Sequence, residues 1–214
     1  MLKFSSEEGI QYDSINKHTI QGFIYSLLQN TGYSNYHNSK GFKYFTFSNI
    51  FPVSNFKKGE TKTLIISSKD YFYLGKHRMM NEQVKVFKPQ LKGRFITSTP
   101  IVLYEENRQN RYYSFKKSND FSFFLKRLKN NALKKYNAYY GLSYDFDGNL
   151  FDSFQFDREV AVRVKKTNKI FLVIGSLWKN LEKFNMDDGA FYNFIMDCGL
   201  GEKNSLGFGM INTV

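Results

Sequence analysis

The chain has 214 residues, 42% of them hydrophobic, which excludes wholesale disorder and allows one large domain or two of about a hundred residues each. Its formal net charge of +12 points to a polyanionic partner, with a merely solvated lysine-rich surface as the plainer alternative. A single cysteine, Cys198, excludes an intramolecular disulfide and a cysteine-built zinc site, and no apolar run reaches the length of a membrane span, so a soluble cytoplasmic protein is expected.

Taken in order, residues 2–4 can open a strand. Ile20, Phe23, Ile24, Leu27 and Leu28 recur at helical spacing and predict a helix over 17–29, capped by Ser14 or Asn16. At about 100° per residue, Tyr25 falls well off that stripe, beside His18 and Gln29. Residues 42–51 alternate as a strand, and 63–67 and 71–74 read as two more. A strand over 94–104 is expected to close the first half. Residues 77–90 offer little to sustain a long helix, so a second helix there is short or missing. The polar turn at 105–110 sets the expected boundary, with domains 1–104 and 105–214. Lys and Arg outnumber Asp and Glu by 14 to 6 in the first and by 17 to 13 in the second.

The second half is expected to begin with a short strand at 112–115. A helix over 119–136 follows, carrying Lys126, Arg127, Lys129, Lys134 and Lys135. Two long strands, 151–164 and 169–183, flank a tight turn at Lys165-Lys-Thr-Asn168 and make a hairpin. A short apolar helix at 188–198, a glycine-rich run and a last strand at 208–214 complete the chain. The order β-α-β-β-α-β is ferredoxin-like. The first half reads the same way with a reduced second helix. The expected fold is therefore α+β, two tandem ferredoxin-like (RRM-like) domains.

The run Gly199-Leu-Gly-Glu-Lys-Asn-Ser-Leu-Gly-Phe-Gly-Met210 carries the densest signal. It contains no Gly-Lys-Ser/Thr, so it is not a P-loop. Asn204 stands where a dinucleotide-binding turn needs its third glycine. Two readings remain. One is a helix C-cap at Gly199 followed by a bulge. The other is a platform on which the backbone at Gly199, Gly201, Gly207 and Gly209, with Lys203 and Ser205, meets RNA phosphates.

His37 lies in a loop between a helix and a strand, with Lys40 and Lys43 close by in sequence. Tyrosine, histidine and lysine suffice for RNA cleavage without a metal. The RNA 2′-OH is the nucleophile, histidine moves the proton, and lysine stabilises the extra phosphorane charge. The scarcity of clustered carboxylates argues against a two-metal nuclease, and no metal or cofactor is expected. Lys40-Gly-Phe-Lys-Tyr-Phe-Thr-Phe47 also approximates an RNA-recognition signature, departing from it at Lys43 and Phe45.

The glycine-rich end resembles the C-terminal signature of the CRISPR-associated RAMP proteins, and most closely their repeat-RNA-processing endoribonucleases, the Cas-six family. Three further stretches are similar to the same family in the same order: His18-Thr-Ile-Gln-Gly-Phe-Ile-Tyr25, His37-Asn-Ser-Lys-Gly-Phe-Lys-Tyr-Phe-Thr-Phe-Ser48 and Phe95-Ile-Thr-Ser-Thr-Pro-Ile-Val102. The resemblance implies an active site of Tyr25, His37 and Lys43. It implies metal-independent cleavage within the CRISPR repeat of precursor crRNA, leaving a 2′,3′-cyclic phosphate and a 5′-OH. The repeat backbone would lie on Lys126 and Arg127 of the basic helix and on the hairpin at Arg163, Lys165 and Lys166. The alternatives are a non-catalytic RNA-binding subunit of a CRISPR effector complex and a basic assembly protein that binds protein rather than RNA. A homodimer is left open, and no membrane partner is expected.

Overall fold

The computed structural model describes residues 1–29, 33–36, 38, 40–70, 83–105, 111–118, 120–166 and 169–214. At the N-terminus, β1 (Leu2–Ser5) lies between β3 (Thr61–Leu64) and β5 (Gln83–Val84), antiparallel to both. β2 (Phe45–Phe47) pairs with β4 (Ile66–Ser68). Only Ile65 separates β3 from β4, and it exchanges bonds with Ser48: its N–H donates to Ser48 Oγ and its carbonyl accepts the Ser48 N–H. The two segments therefore act as one bent strand, with β1 along one edge and β2 along the other. Read across, β5, β1, β3/β4 and β2 follow the ferredoxin-like order.

Over this layer lies α1 (Lys17–Leu28), whose N-cap Asn16 accepts the His18 N–H. Ile20, Ile24 and Leu28 pack on Phe45, Phe47 and Leu64, which closes the first core.

The second sheet runs β7 (Ser153–Lys166), β8 (Lys169–Glu182), β6 (Arg94–Thr97), β9 (Ile211–Thr213), all antiparallel. α2 (Phe121–Tyr140) and α3 (Gly189–Cys198) cover it, and Leu128, Phe194 and Ile195 meet Phe95, Trp178 and Leu181 in a larger core. α2 starts on Asp120, whose carboxylate accepts the Phe123 N–H, and ends on Gly141 in the left-handed region. The second unit is thus β6-α2-β7-β8-α3-β9.

Two expectations change here. The strand assigned to the end of the first half opens the second unit instead: β6 pairs with β8 and β9, and Ile101 bridges Ser176. Strand β5 takes the closing position on β1. A division at residue 104 would cut β6 away from both of its hydrogen-bonded neighbours. The segment 112–115 contributes no strand, only a bridge from Tyr112 to Tyr104. The expected strand at 71–74, and residues 77–82 of the stretch read as too poor for a helix, lie outside the described residues, and residues 83–90 of that stretch carry β5 and no helix. No described helix is long and apolar enough to cross a membrane.

Candidate active site

The glycine-rich loop leaves α3 and returns to β9 through a single turn of 3-10 helix, Asn204–Leu206. Most of its N–H groups are taken up inside the protein. Gly199 donates to the Ile195 carbonyl, Leu200 to Gly209, Glu202 to Val102, Gly207 to Asn204 and Gly209 to Pro100. Asn204 staples the two sides of the loop, because its amide nitrogen donates to the carbonyls of Leu200 and Phe208 at 2.9 and 3.0 Å. Gly207 and Gly209 both have positive φ, at 76° and 71°. A Cβ at Gly207 would overlap the Phe47 ring, and one at Gly209 the Leu200 carbonyl oxygen. Gly199, Gly207 and Gly209 are buried and their N–H groups are already paired, so these three shape the loop and offer no donor to a phosphate. Among the described residues, the N–H groups of Gly201, Lys203, Asn204 and Ser205 have no acceptor.

Helix α1 grips this loop with residues spaced four apart, which brings them onto one face. Lys17 Nζ donates to the Gly207 carbonyl at 2.7 Å and lies over the rings of Phe47 and Phe208. Gln21 Nε2 donates to the Ser205 carbonyl at 2.8 Å and reaches Ser205 Oγ at 3.4 Å. Tyr25 lies one turn farther along the same face, with Ser205 near its hydroxyl, and meets the Phe45 ring edge-on at 6.0 Å. Tyr25 was expected on the polar face of its helix. It is half-buried instead, because the glycine-rich loop of the other unit covers that face. Burial pushes its hydroxyl above the usual tyrosine range, and the Ser205 side chain draws it partly back. Burial lowers Lys17 to about 7.

From the opposite side, α2 sends Lys135 into the loop. Its Nζ donates to the carbonyls of Gly199 and Gly201 and to Asn204 Oδ1, and burial lowers it to about 8. Arg127 Nη2 pairs with Glu202 Oε1 at 2.8 Å. Between α2, the segment 41–43 and the loop lies a groove of about 400 Å³. Arg127, Asn130, Asn131 and Lys134 form one wall of it at helical spacing, and Lys43, Lys203 and Ser205 stand opposite. Its cations outweigh Glu202, the one carboxylate in the lining. Arg127 Nε and Asn131 Oδ1 are buried there without a hydrogen-bond partner among the described residues. Lys43 is held below the usual lysine range by burial.

The fold therefore gathers Lys43, Arg127, Gly201, Lys203 and Ser205 around one groove, and sets Tyr25 near Ser205. Lys203 adopts a left-handed backbone at φ 59°, and its ammonium sits over the rings of Tyr104, Tyr112 and Phe171. Lys40 and Lys126 are exposed and outside the groove lining. Arg163, Lys165 and Lys166 are exposed near the far end of the β7–β8 hairpin, where Lys166 pairs with Lys169. His37 lies outside the described residues. Sequence reasoning missed Gln21, the buried role of Lys17 and the staple formed by Asn204. The four-residue spacing of 17, 21 and 25 was the available signal, but what faces that stripe is set by residues nearly two hundred positions away.

Residues 80–213 match the family model described as "CRISPR associated protein Cas6, C-terminal". The chain belongs to the Cas6 (Cas-six) family. Along its whole length it is 42% identical to "CRISPR-associated endoribonuclease Cas6 2" of Methanocaldococcus jannaschii, covering 98% of that protein. It is 29% identical to "CRISPR-associated endoribonuclease Cas6 1" of the same organism, over 83% of this chain and 76% of that one. Among solved structures, one described as "CRISPR associated protein Cas6" superposes with a TM-score of 0.64 at 23% identity, covering 100% of this chain and 96% of the other. Another, "An RAMP protein binding different RNA substrates", gives a TM-score of 0.62 at 16% identity over 100% and 98%. These likenesses agree with the α+β ferredoxin-like architecture. The span matched to the Cas6 model contains the whole of the β6-to-β9 unit.

Proposed function

We propose that this Cas6 protein is an endoribonuclease that cuts CRISPR precursor RNA within the repeat, without a metal, by attack of the 2′-OH on the adjacent phosphate. The products are a 2′,3′-cyclic phosphate and a 5′-OH. The observation that carries the reading is that Lys43, Arg127, Lys134 and Lys203 line one groove with Ser205, whose carbonyl is held by Gln21 one helical turn before Tyr25. In this reading Lys43 stabilises the phosphorane charge, Tyr25 activates or orients the 2′-OH, and His37 acts as general base or acid. Lys203, Ser205, Arg127 and the N–H of Gly201 hold the backbone near the cut, and Lys40, Lys126 and the hairpin cations attract it from farther away. The partner is repeat RNA, encountered in the cytoplasm; a further place in an effector complex or a homodimer would show as a change in mass on size-exclusion with light scattering.

The test is cleavage of repeat RNA by the purified protein in EDTA, with His37→Ala as the control. Cleavage that persists in chelator and disappears in His37→Ala, with RNA binding retained, is the expected result. Loss of activity on chelation would overturn the mechanism. Salt-sensitive binding without any cleavage would instead support the non-catalytic RNA-binding subunit.

A further inference from the structure

We propose that Tyr104, Tyr112 and Phe171 are positioning residues whose rings form a cage that aims the Lys203 ammonium at an RNA phosphate in the groove. This rests on the RNA-binding part of the reading above. Lys203 Nζ lies 5.6 Å from the Tyr104 ring centroid, 5.7 Å from that of Tyr112 and 5.9 Å from that of Phe171. All three are within the reach at which a ring face attracts a cation. Tyr104 and Tyr112 bridge each other in antiparallel fashion, and their rings stack at 5.3 Å and 20°. Phe171 stands on β8 opposite Val164 of β7. Tyr112 and Phe171 pack against Val102, Val164, Val173 and Phe208, so these two rings are anchored by a core.

What the cage leaves undone points to an anionic ligand. Arg127, in the same groove, is matched by Glu202 at 2.8 Å. No ion pair among the described residues includes Lys203. Ring faces attract its charge without cancelling it, and an ammonium carries three N–H donors for oxygen acceptors. Lysine also stands here although the backbone, at φ 59° and ψ 29°, is in the region that glycine adopts more easily. The neighbouring Gly201 and Gly207 have similar φ, 67° and 76°. The side chain is thus kept where the backbone disfavours it. A free lysine loses rotamer freedom when it binds, whereas a caged one has lost much of it beforehand. A phosphate, with its several acceptor oxygens, suits such a preset cation.

The experiment uses the full chain and a 5′-labelled CRISPR repeat RNA. Single-turnover cleavage at increasing protein concentration gives a half-saturating concentration and a maximal rate; where the RNA stays intact, fluorescence anisotropy gives the affinity. Tyr112→Leu should raise the half-saturating concentration about fivefold and change the maximal rate less than about twofold. Tyr112→Phe, which keeps the ring, should behave as wild type. In a Lys203→Met background, Tyr112→Leu should have no further effect. Phe171→Leu should repeat the pattern, and decides the matter if Tyr112→Leu does not fold. A readout without RNA is the NMR shift of the Lys203 ε-methylene protons, assigned by their loss in Lys203→Met. Ring currents should move them upfield in wild type and less so in Tyr112→Leu. Equal losses with and without Lys203, as direct stacking of bases on the rings would give, would overturn the inference. Tighter binding after removal of a ring would overturn it as well, because the cage would then withhold the ammonium from RNA. Bound but uncut RNA that shows the same dependence on Lys203 overturns only the cleavage step and supports the cage. A wild-type protein without affinity for the RNA overturns both.

Discussion

The glycine-rich loop and the outer end of the β7–β8 hairpin use opposite physics to do neighbouring jobs. The loop is largely buried, with its carbonyls held by Lys17, Gln21, Lys135 and Asn204. The hairpin end exposes Arg163, Lys165 and Lys166, while Val164 between them faces inward and packs with Phe208 and Val173. A buried loop fixes geometry, since each of its polar groups must keep its partner. An exposed cationic end fixes no geometry and acts through charge that salt can screen. In the proposed reading, precision at the candidate site would come from the loop, and attraction for a polyanion from the hairpin.

The sharpest way to break this contrast is Gly209→Ala. Its Cβ would overlap the Leu200 carbonyl oxygen at a backbone conformation that already disfavours side chains. A loss of about 4 kcal/mol, or failure to fold, is expected by thermal or chemical denaturation. A well-folded variant with unchanged stability would mean that the loop relaxes freely.

The next effect comes from Lys17. Its folded value, near 7, lies below the ordinary lysine value of 10.5, so above pH 7 the unfolded chain holds more protons. Stability should therefore rise with pH between 7 and 8.5, with Lys135 adding in the same direction from about 8. Lys17→Met should reduce that slope by about 1 kcal/mol per pH unit near pH 8, as measured by denaturation at several pH values. An unaltered slope would show that Lys17 stays charged in the folded state.

The smallest stability effect is expected at the hairpin. Replacing Arg163, Lys165 and Lys166 with alanine should change folding stability by less than about 0.5 kcal/mol, because all three are exposed. RNA binding, measured by fluorescence anisotropy against salt, should weaken and lose about 2 from its logarithmic salt slope. A folding defect in this variant, or an unchanged salt slope, would erase the distinction between the two regions.

Several elements could be read from local pattern because local pattern determines them. The stripe at Ile20, Ile24 and Leu28 makes α1 whatever lies above it, and the long alternating runs on either side of residue 167 make β7 and β8. The glycines and His37 were picked out by residue type and by resemblance. Pairing was harder. β6 reads as a good strand in isolation, but its alternation carries no information about which sheet will take it. The basic residues of α2 show the same limit. Lys126 and Lys135 look alike in the chain, yet one is exposed and the other lies 2% exposed among loop carbonyls.

The sequence by itself determined which residues could be proposed for a site: a tyrosine, a histidine, lysines and a glycine-rich run, within a chain of net charge +12. Tertiary structure decided which of these meet. Lys17, Gln21 and Tyr25 share a face by their spacing, but that face becomes part of the candidate site only because the loop 205–207, from the other end of the chain, packs against it. The physical reason is that periodicity encodes which side of an element avoids water, whereas a hydrogen bond between distant residues depends on how two finished units dock. Glycine, which looked like a place for phosphate to approach, proved in all four positions to be a place where the protein approaches itself, and in three of them the N–H is paired as well.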